Sequence, residues 1–268
     1  MTRDDKIRSM IDNKKLGLEI GPSFAPVCPK SAGFRVETID HLDQEDLRKK
    51  YASHGVDISA IEAVDYVWRG ENYRTLTGRS HEYGWIIASH VIEHTPDLIR
   101  FLQGCDDVLD HSGQLSLAIP DKRYSFDHLR EKSSLSAIIE AYEQKRTTHS
   151  PGIVADYFSN VSHPRRGARF LPRWMRLRSK AFIHTDDETA AGIETARSGG
   201  LLDIHAWCFT PSSFRLAIED LHRLGYIKLR ESAYLGASGN EFFIALSRSG
   251  TGTGMTRLQL ALKSQEEA

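Results

Sequence analysis

The chain is short of the features that would place it in several protein classes. Its three cysteines, Cys28, Cys105 and Cys208, are scattered and odd in number. They form neither a metal-ligand spacing nor a disulfide framework, which points to a reducing cytoplasm. No apolar run approaches the roughly 18 residues of a membrane span, and the opening MTRDDKIRSMIDNKK lacks a signal-peptide core. A cytoplasmic location is therefore expected. A net charge of −1 gives no global pull toward nucleic acid or membrane, so such a partner would need a local patch. Carboxylates clustered near histidine are scarce: Asp121 and Asp127 with His128 form the only local grouping, and no bound metal is expected. What remains is the composition of a soluble globular protein, 40% hydrophobic and 26% charged, with enough length to bury a core.

The informative stretch is Leu16 to Asp40. A short apolar strand (Leu16 to Ile20) leads into a turn, Gly21-Pro22-Ser23, and a second strand (Phe34 to Ile39) ends at Asp40. This opens a nucleoside-binding βαβ unit: the glycine lets backbone approach a ligand, and the acid can accept both hydroxyl protons of a ribose. Dinucleotide sites use G-x-G-x-x-G to seat a pyrophosphate. Here the second and third glycine positions hold Ser23 and Pro26, so a ligand with a ribose and no phosphate fits better.

Leu18-Glu19-Ile20-Gly21 resembles the first motif of class I S-adenosylmethionine-dependent methyltransferases. The plainer alternative is a glycine turn between two buried strands. A second stretch adds weight. Trp85 to Ala88 reads as a buried strand followed by Ser89-His90-Val91-Ile92-Glu93-His94, which resembles the cofactor loop of the same enzymes. Thr95 is expected to cap the next helix, whose apolar face is Leu98, Leu102, Cys105 and Leu109, and Gln114 to Ile119 forms the fifth strand.

The resemblance covers residues 16 to 120 and implies an α/β fold, a Rossmann-like seven-stranded methyltransferase sheet with helices on both faces and an insertion after the fifth strand. It implies S-adenosyl-L-methionine as cofactor, held by Glu19, Gly21, Pro22, Ser23, Asp40, His41, Trp68, Arg69, Ser89, His90 and His94. One departure stands out. After the third strand (Ala63 to Trp68), Arg69 replaces the acid that binds the adenine amino group in many relatives, leaving the Trp68 indole and backbone to hold the base.

The expected parts are residues 1–120 for cofactor binding, 121–205 as an acceptor-shaping insertion, 206–247 as a helix and hairpin completing the sheet, and 248–268 as a flexible tail. Thr210 should cap the late helix, with Phe214, Ile218, Leu221 and Leu224 buried, followed by strands Tyr226 to Tyr234 and Asn240 to Ser247. In the insertion, residues 163–180 carry seven basic side chains and no acid. Three readings stay open: a solvated amphipathic helix or a loop paired with Asp186-Asp187-Glu188, a grip on an anionic or lipid-linked acceptor, and an RNA-binding face.

Methyl transfer to oxygen needs a base or a metal, and histidine is the usual base near neutral pH. His205, where the insertion rejoins the sheet, is the leading candidate, with His149 next. Acceptor contacts are expected from Arg123, Tyr124, Arg130, His163 and Trp207. The resemblance extends more loosely to bacterial methyltransferases of polysaccharide or secondary-metabolite assembly. The expected acceptor is thus a sugar or other small hydroxylated molecule, with RNA the alternative.

Overall fold

In the computed structural model, residues 1–164 and 180–267 are described. Residues 165–179, most of the basic segment, lie outside them. Helix α1 (Arg3–Arg8) is closed by a capping box in which Thr2 and Asp5 bond each other's backbone N–H, and it buries Ile7. Strand β1 (Gly17–Ile20) then enters the centre of the molecule fully buried. Parallel strands sandwiched between helices show such unbroken apolar runs.

Strand β2 (Val36–Asp40) pairs with β1 in parallel, and α2 (Gln44–Tyr51) returns the chain to β3. That strand is only Tyr66–Val67, shorter than expected, because Asp65 turns its carboxylate onto the Thr38 N–H (2.7 Å) and the Ala63 carbonyl accepts from Lys30. Helix α3 (Tyr73–Thr77) leads to β4 (Tyr83–Ser89), α4 (Leu98–Val108) and β5 (Leu109–Pro120). The cap of α4 is Asp97, whose carboxylate accepts from the Arg100 N–H at 2.9 Å, rather than Thr95. Thr95 instead closes the single turn Ile92–His94, its hydroxyl donating to the Ile92 carbonyl at 2.8 Å.

After β5 come α5 (Leu135–Glu143) and α6 (Pro151–Asn160), a small antiparallel pair β6 (Ser162–Pro164) and β7 (Lys180–Phe182), and α7 (Asp186–Arg197). Helix α8 (Pro211–Arg223), capped by Thr210 as expected, leads to the hairpin β8 (Arg230–Ser238) and β9 (Glu241–Ser247). The hairpin starts later and turns later than its sequence suggests: Gly236 lies within β8 at a register shift, and the reversal falls at Gly239-Asn240. Leu224 is also a correction. It sits at the α8 cap, half exposed, while Phe214, Ile218 and Leu221 are buried.

The main sheet runs β3-β2-β1-β4-β5-β9-β8, parallel from β3 to β5, with β9 antiparallel to both its neighbours. This is the expected seven-stranded Rossmann-like sheet with helices on both faces. One face packs Leu18, Ile86 and Leu117 against α4, α5 and α8; the other packs Trp85, Ile87 and Phe243 against α1. Gly17 is required by that second layer, since a Cβ there would lie 2.0 Å from the Trp85 ring. The five parallel strands end on one edge, where ligands of open α/β sheets bind.

Two features differ from the expected division of the chain. Helix α5 buries Ile138 and Ala141 in the main core, while α6 and α7 form a small core of their own around Val154, Ala196 and Ile204. The segment expected to be a flexible tail carries α9 (Arg257–Glu266), packed on α8 through a bidentate Arg257–Asp220 pair (2.7 and 2.9 Å) with Leu260 buried.

Candidate functional site

A cavity of about 600 Å³ opens at the ends of β1, β2 and β4, within the range of small-molecule sites. Its floor is the turn after β1. Gly21 takes φ +66°, and its N–H donates to the Ile39 carbonyl at 2.8 Å. A Cβ there would stand 2.8 Å from a Val91 methyl, so only glycine lets this turn and the turn after β4 approach each other. Ser23 also has positive φ, +52°; its N–H donates to Asp40 at 2.9 Å, and its hydroxyl oxygen is buried without a hydrogen-bond partner among the described residues. Pro22 shapes the turn and does not line the cavity.

Asp40 ends β2 beneath this turn, its carboxylate almost fully buried. Oδ1 accepts from the His41 backbone N–H (2.7 Å) and faces its ring Nδ1 at 2.6 Å. With the Ser23 bond, three of about four acceptor positions on the carboxylate are taken. Both hydroxyls of a ribose can be accepted only if the half-exposed His41 ring swings away. Trp68, donating from its indole to the Glu71 carbonyl at 2.7 Å, forms a cavity wall. Arg69 does not: it is exposed, and its N–H donates into the Glu71 carboxylate at 2.7 Å, closing the turn on itself.

Glu19 is a second correction. Its carboxylate is buried behind the strand, accepting the N–H groups of Val27 (2.6 Å) and Cys28 (3.0 Å), and burial pushes its pKa up to about 7. It fixes the loop after the glycine turn and does not line the cavity. Ser89 likewise points elsewhere, accepting from Arg3 at 2.5 Å.

The opposite wall is the turn after β4. His90 adopts φ +54° and faces Glu241 at 2.9 Å. His94 lies 3.1 Å from Asp203, which arrives from the end of the insertion. Burial works against the charged imidazole, but Asp203 and the nearby Glu93 outweigh it and hold His94 above its usual pKa. His94 depresses Asp203 in turn. Lys50 reaches Asp203 (3.3 Å) and His41 (3.1 Å), so a polar chain rims the cavity from Asp40 to His94.

Behind His94 stands His205. The return segment is pinned to the turn by two bonds to the Glu93 carbonyl, from the N–H of Ala206 (2.6 Å) and of Trp207 (3.2 Å), and by the Trp207 indole donating to the Thr95 carbonyl at 2.7 Å. Trp207 is therefore a buried latch and not an acceptor contact. The His205 ring stands perpendicular to that of His94 with centroids 4.8 Å apart, and its Nδ1 meets Asp127 at 2.6 Å. Asp127 is held below the usual carboxylate range by His205 and Arg130, against the cost of its burial.

Arg130, expected at the acceptor, is also structural. It donates one bond to Asp156 (2.8 Å, with Nη2 in ion-pair range of the same oxygen at 2.8 Å), one to Asp127 (2.9 Å) and one to the His205 carbonyl (2.7 Å), with its side chain 2% exposed. Arg123 is tied to Asp121 at 2.5 to 3.1 Å; Tyr124 and His163 are exposed, and none of the three lines the cavity. His149 is buried, and burial together with His94 lowers its pKa to about 4, so it stays neutral and a weak proton acceptor at pH 7.

Sequence reasoning did not assign Glu93, Asp203, Lys50 or Val91 to the site. Glu93 sat within the recognised loop, but only the fold shows its carboxylate to be buried with neither oxygen hydrogen-bonded among the described residues. The donor atoms of Glu93, His94 and His205 lie within 4.8 Å of one another.

No protein-family model and no curated protein matches the chain. Among solved structures, it aligns with a Rhodobacter sphaeroides protein described as a candidate Zn-dependent alcohol dehydrogenase (17% identity, 91% of this chain and 88% of that one, TM-score 0.45). It also aligns with a SAM-dependent methyltransferase from Methanosarcina mazei (15% identity, 90% and 95%, TM-score 0.44) and a Pyrococcus horikoshii protein (14% identity, 91% and 89%, TM-score 0.43). The fold assignment itself rests on the strand order and register.

Proposed function

We propose that this chain is an S-adenosylmethionine-dependent methyltransferase acting on a small hydroxylated acceptor, a sugar being the favoured class, in a reducing cytoplasm. The observation that carries the reading is the turn over Asp40. Asp40 lies directly below a glycine turn whose second glycine position is Ser23, a residue that lines the cavity and whose hydroxyl oxygen is buried with no hydrogen-bond partner among the described residues. That side chain occupies the backbone approach a pyrophosphate requires and offers a donor to a nucleoside lacking one.

Asp40 would take the ribose hydroxyls, the Trp68 indole would cover the adenine, and the Gly21 turn with His90 and Val91 would face the amino-acid end. S-adenosylmethionine, when bound, supplies an activated methyl group on a sulfonium. The protein's part is to align the acceptor oxygen for in-line attack, which alone contributes on the order of 7 kcal/mol or more, and to draw off its proton. The Glu93–His94–His205 cluster, of which His94 lines the cavity, would receive that proton, with Asp127 fixing the His205 ring. The test is mass-spectrometric detection of S-adenosylhomocysteine and a methylated product across a panel of sugars and phenols. Turnover with a hydroxylated acceptor, lost in Asp40→Ala, supports the reading. Turnover only with amines, or only with RNA, would replace it.

A further inference from the structure

We infer that Glu93, His94 and His205 form a binding site for a divalent transition-metal ion beside the cavity, which His94 lines. Glu93 is 1% exposed, and neither carboxylate oxygen accepts a hydrogen bond from any described residue. An ionised carboxylate is not buried without compensation. Two imidazole nitrogens face its Oε1, His205 Nε2 of the proposed set at 4.0 Å and His90 Nδ1, outside that set, at 3.5 Å. These separations are too long for hydrogen bonds. The Glu93–His205 separation is within about 0.6 Å of the spacing of two ligands about a shared cation, roughly 3.4 Å for metal–ligand bonds of about 2.1 Å in a tetrahedral site.

The second observation concerns His205. Its Nδ1 is engaged by Asp127 at 2.6 Å, which directs the Nε2 lone pair toward Glu93. Asp127 is itself fixed by Arg130 at 2.9 Å. A carboxylate behind the far nitrogen is the outer-shell support that metal-bound imidazoles use. His94 completes the set, with one donor atom from each residue inside 4.8 Å. Two imidazoles and one carboxylate favour Zn²⁺, Mn²⁺ or Fe²⁺ over Mg²⁺ or Ca²⁺, and three protein ligands leave positions open for an oxygen of a small molecule.

If the methyltransferase reading is right, that oxygen is the acceptor's hydroxyl. Coordination lowers its pKa, and His205 acts as a ligand in place of the general base expected from sequence. Cation binding itself does not depend on that reading.

The experiment uses the full chain after chelator treatment, titrated calorimetrically with ZnCl₂, MnCl₂ and MgCl₂ without cofactor, with Mn²⁺ also followed by electron paramagnetic resonance. One equivalent of Zn²⁺ or Mn²⁺ should bind, with Mg²⁺ at least about 100-fold weaker. Glu93→Gln and His94→Gln should each lose that binding with circular dichroism unchanged, and Asp127→Asn should weaken it about 10- to 100-fold. No saturable binding of Zn²⁺ or Mn²⁺ by the folded native chain, or binding unaltered in folded Glu93→Gln and His94→Gln, overturns the inference. A parallel titration with S-adenosylmethionine separates the two claims. Metal without cofactor binding upholds the ion site and removes the methyltransferase reading, and the converse result does the reverse.

Discussion

Replacing Arg130 by Met tests whether the insertion is joined to the site by a buried charge network. Three of its five N–H donors make hydrogen bonds, one on Asp156, one on Asp127 and one on the His205 carbonyl, and Nη2 lies 2.8 Å from the same Asp156 oxygen. Asp156 is 40% exposed, so that pair contributes no more than about 1 kcal/mol. Asp127 is different, with its side chain 2% exposed. Methionine would leave its charge with His205 and a long bond from the Ser125 hydroxyl (3.3 Å), and breaking a buried pair in this way costs about 3–5 kcal/mol. At about 2–4 °C per kcal/mol for a chain of this size, the midpoint of thermal unfolding should fall by roughly 10 °C. Urea unfolding gives the free energy. The double variant Arg130→Met with Asp127→Asn should be no less stable than Arg130→Met alone, because the stranded charge is gone. A loss below about 1 kcal/mol for Arg130→Met, or strict additivity in the double variant, would show that the network does not bind the insertion to the sheet.

Two further predictions follow from the turn after β1. Gly21→Ala must hold φ +66° and move Val91; it should lose about 1–2 kcal/mol from the backbone alone and weaken nucleoside binding as well. Gly33→Ala, at φ +86° with open space around it, should cost only the backbone part, and equal cofactor affinity in both variants would contradict the site. Glu19 has its pKa raised by burial from 4.5 to about 7. Between those values the folded chain keeps a proton that the unfolded chain has released, so this group's stabilisation is fully present below about pH 4.5 and is lost as pH rises through about 7, by on the order of 3 kcal/mol. Chemical unfolding from pH 5 to 8 should show that fall in the native chain and a flatter profile in Glu19→Gln; parallel profiles would mean that the two backbone bonds keep the carboxylate ionised throughout.

The sheet was legible because its strands are unbroken apolar runs closed by Gly21, Asp40, His90 and Pro120 at matching positions. The cavity floor was legible for the same reason: Gly21, Ser23 and Asp40 act through local backbone geometry. Arg130 and Trp207 were read as acceptor contacts because arginine and tryptophan often are. Their partners, Asp156, Asp127 and Thr95, lie 26, 3 and 112 residues away, and only burial shows that they are satisfied internally. Glu19 was misplaced because the alternation of a strand does not reveal which of two covered faces borders the ligand. Glu93 and Asp203 become site residues only through long-range contacts, when the return segment brings His205 and Asp203 against the turn after β4. The tail was misread because Gly and Thr at 251–256 conceal a capping box at Thr256 that starts a well-packed helix.

The central claim is that the cavity over Asp40 binds S-adenosylmethionine. Calorimetric titration of the native chain with that nucleoside and with NAD, repeated on Asp40→Ala, tests it most directly. Saturable binding of S-adenosylmethionine is expected, weakened about 10- to 150-fold in the variant by loss of charge-assisted bonds, with none for NAD. Equal affinity for NAD, affinity unchanged by Asp40→Ala, or no binding of S-adenosylmethionine to the native chain would contradict it.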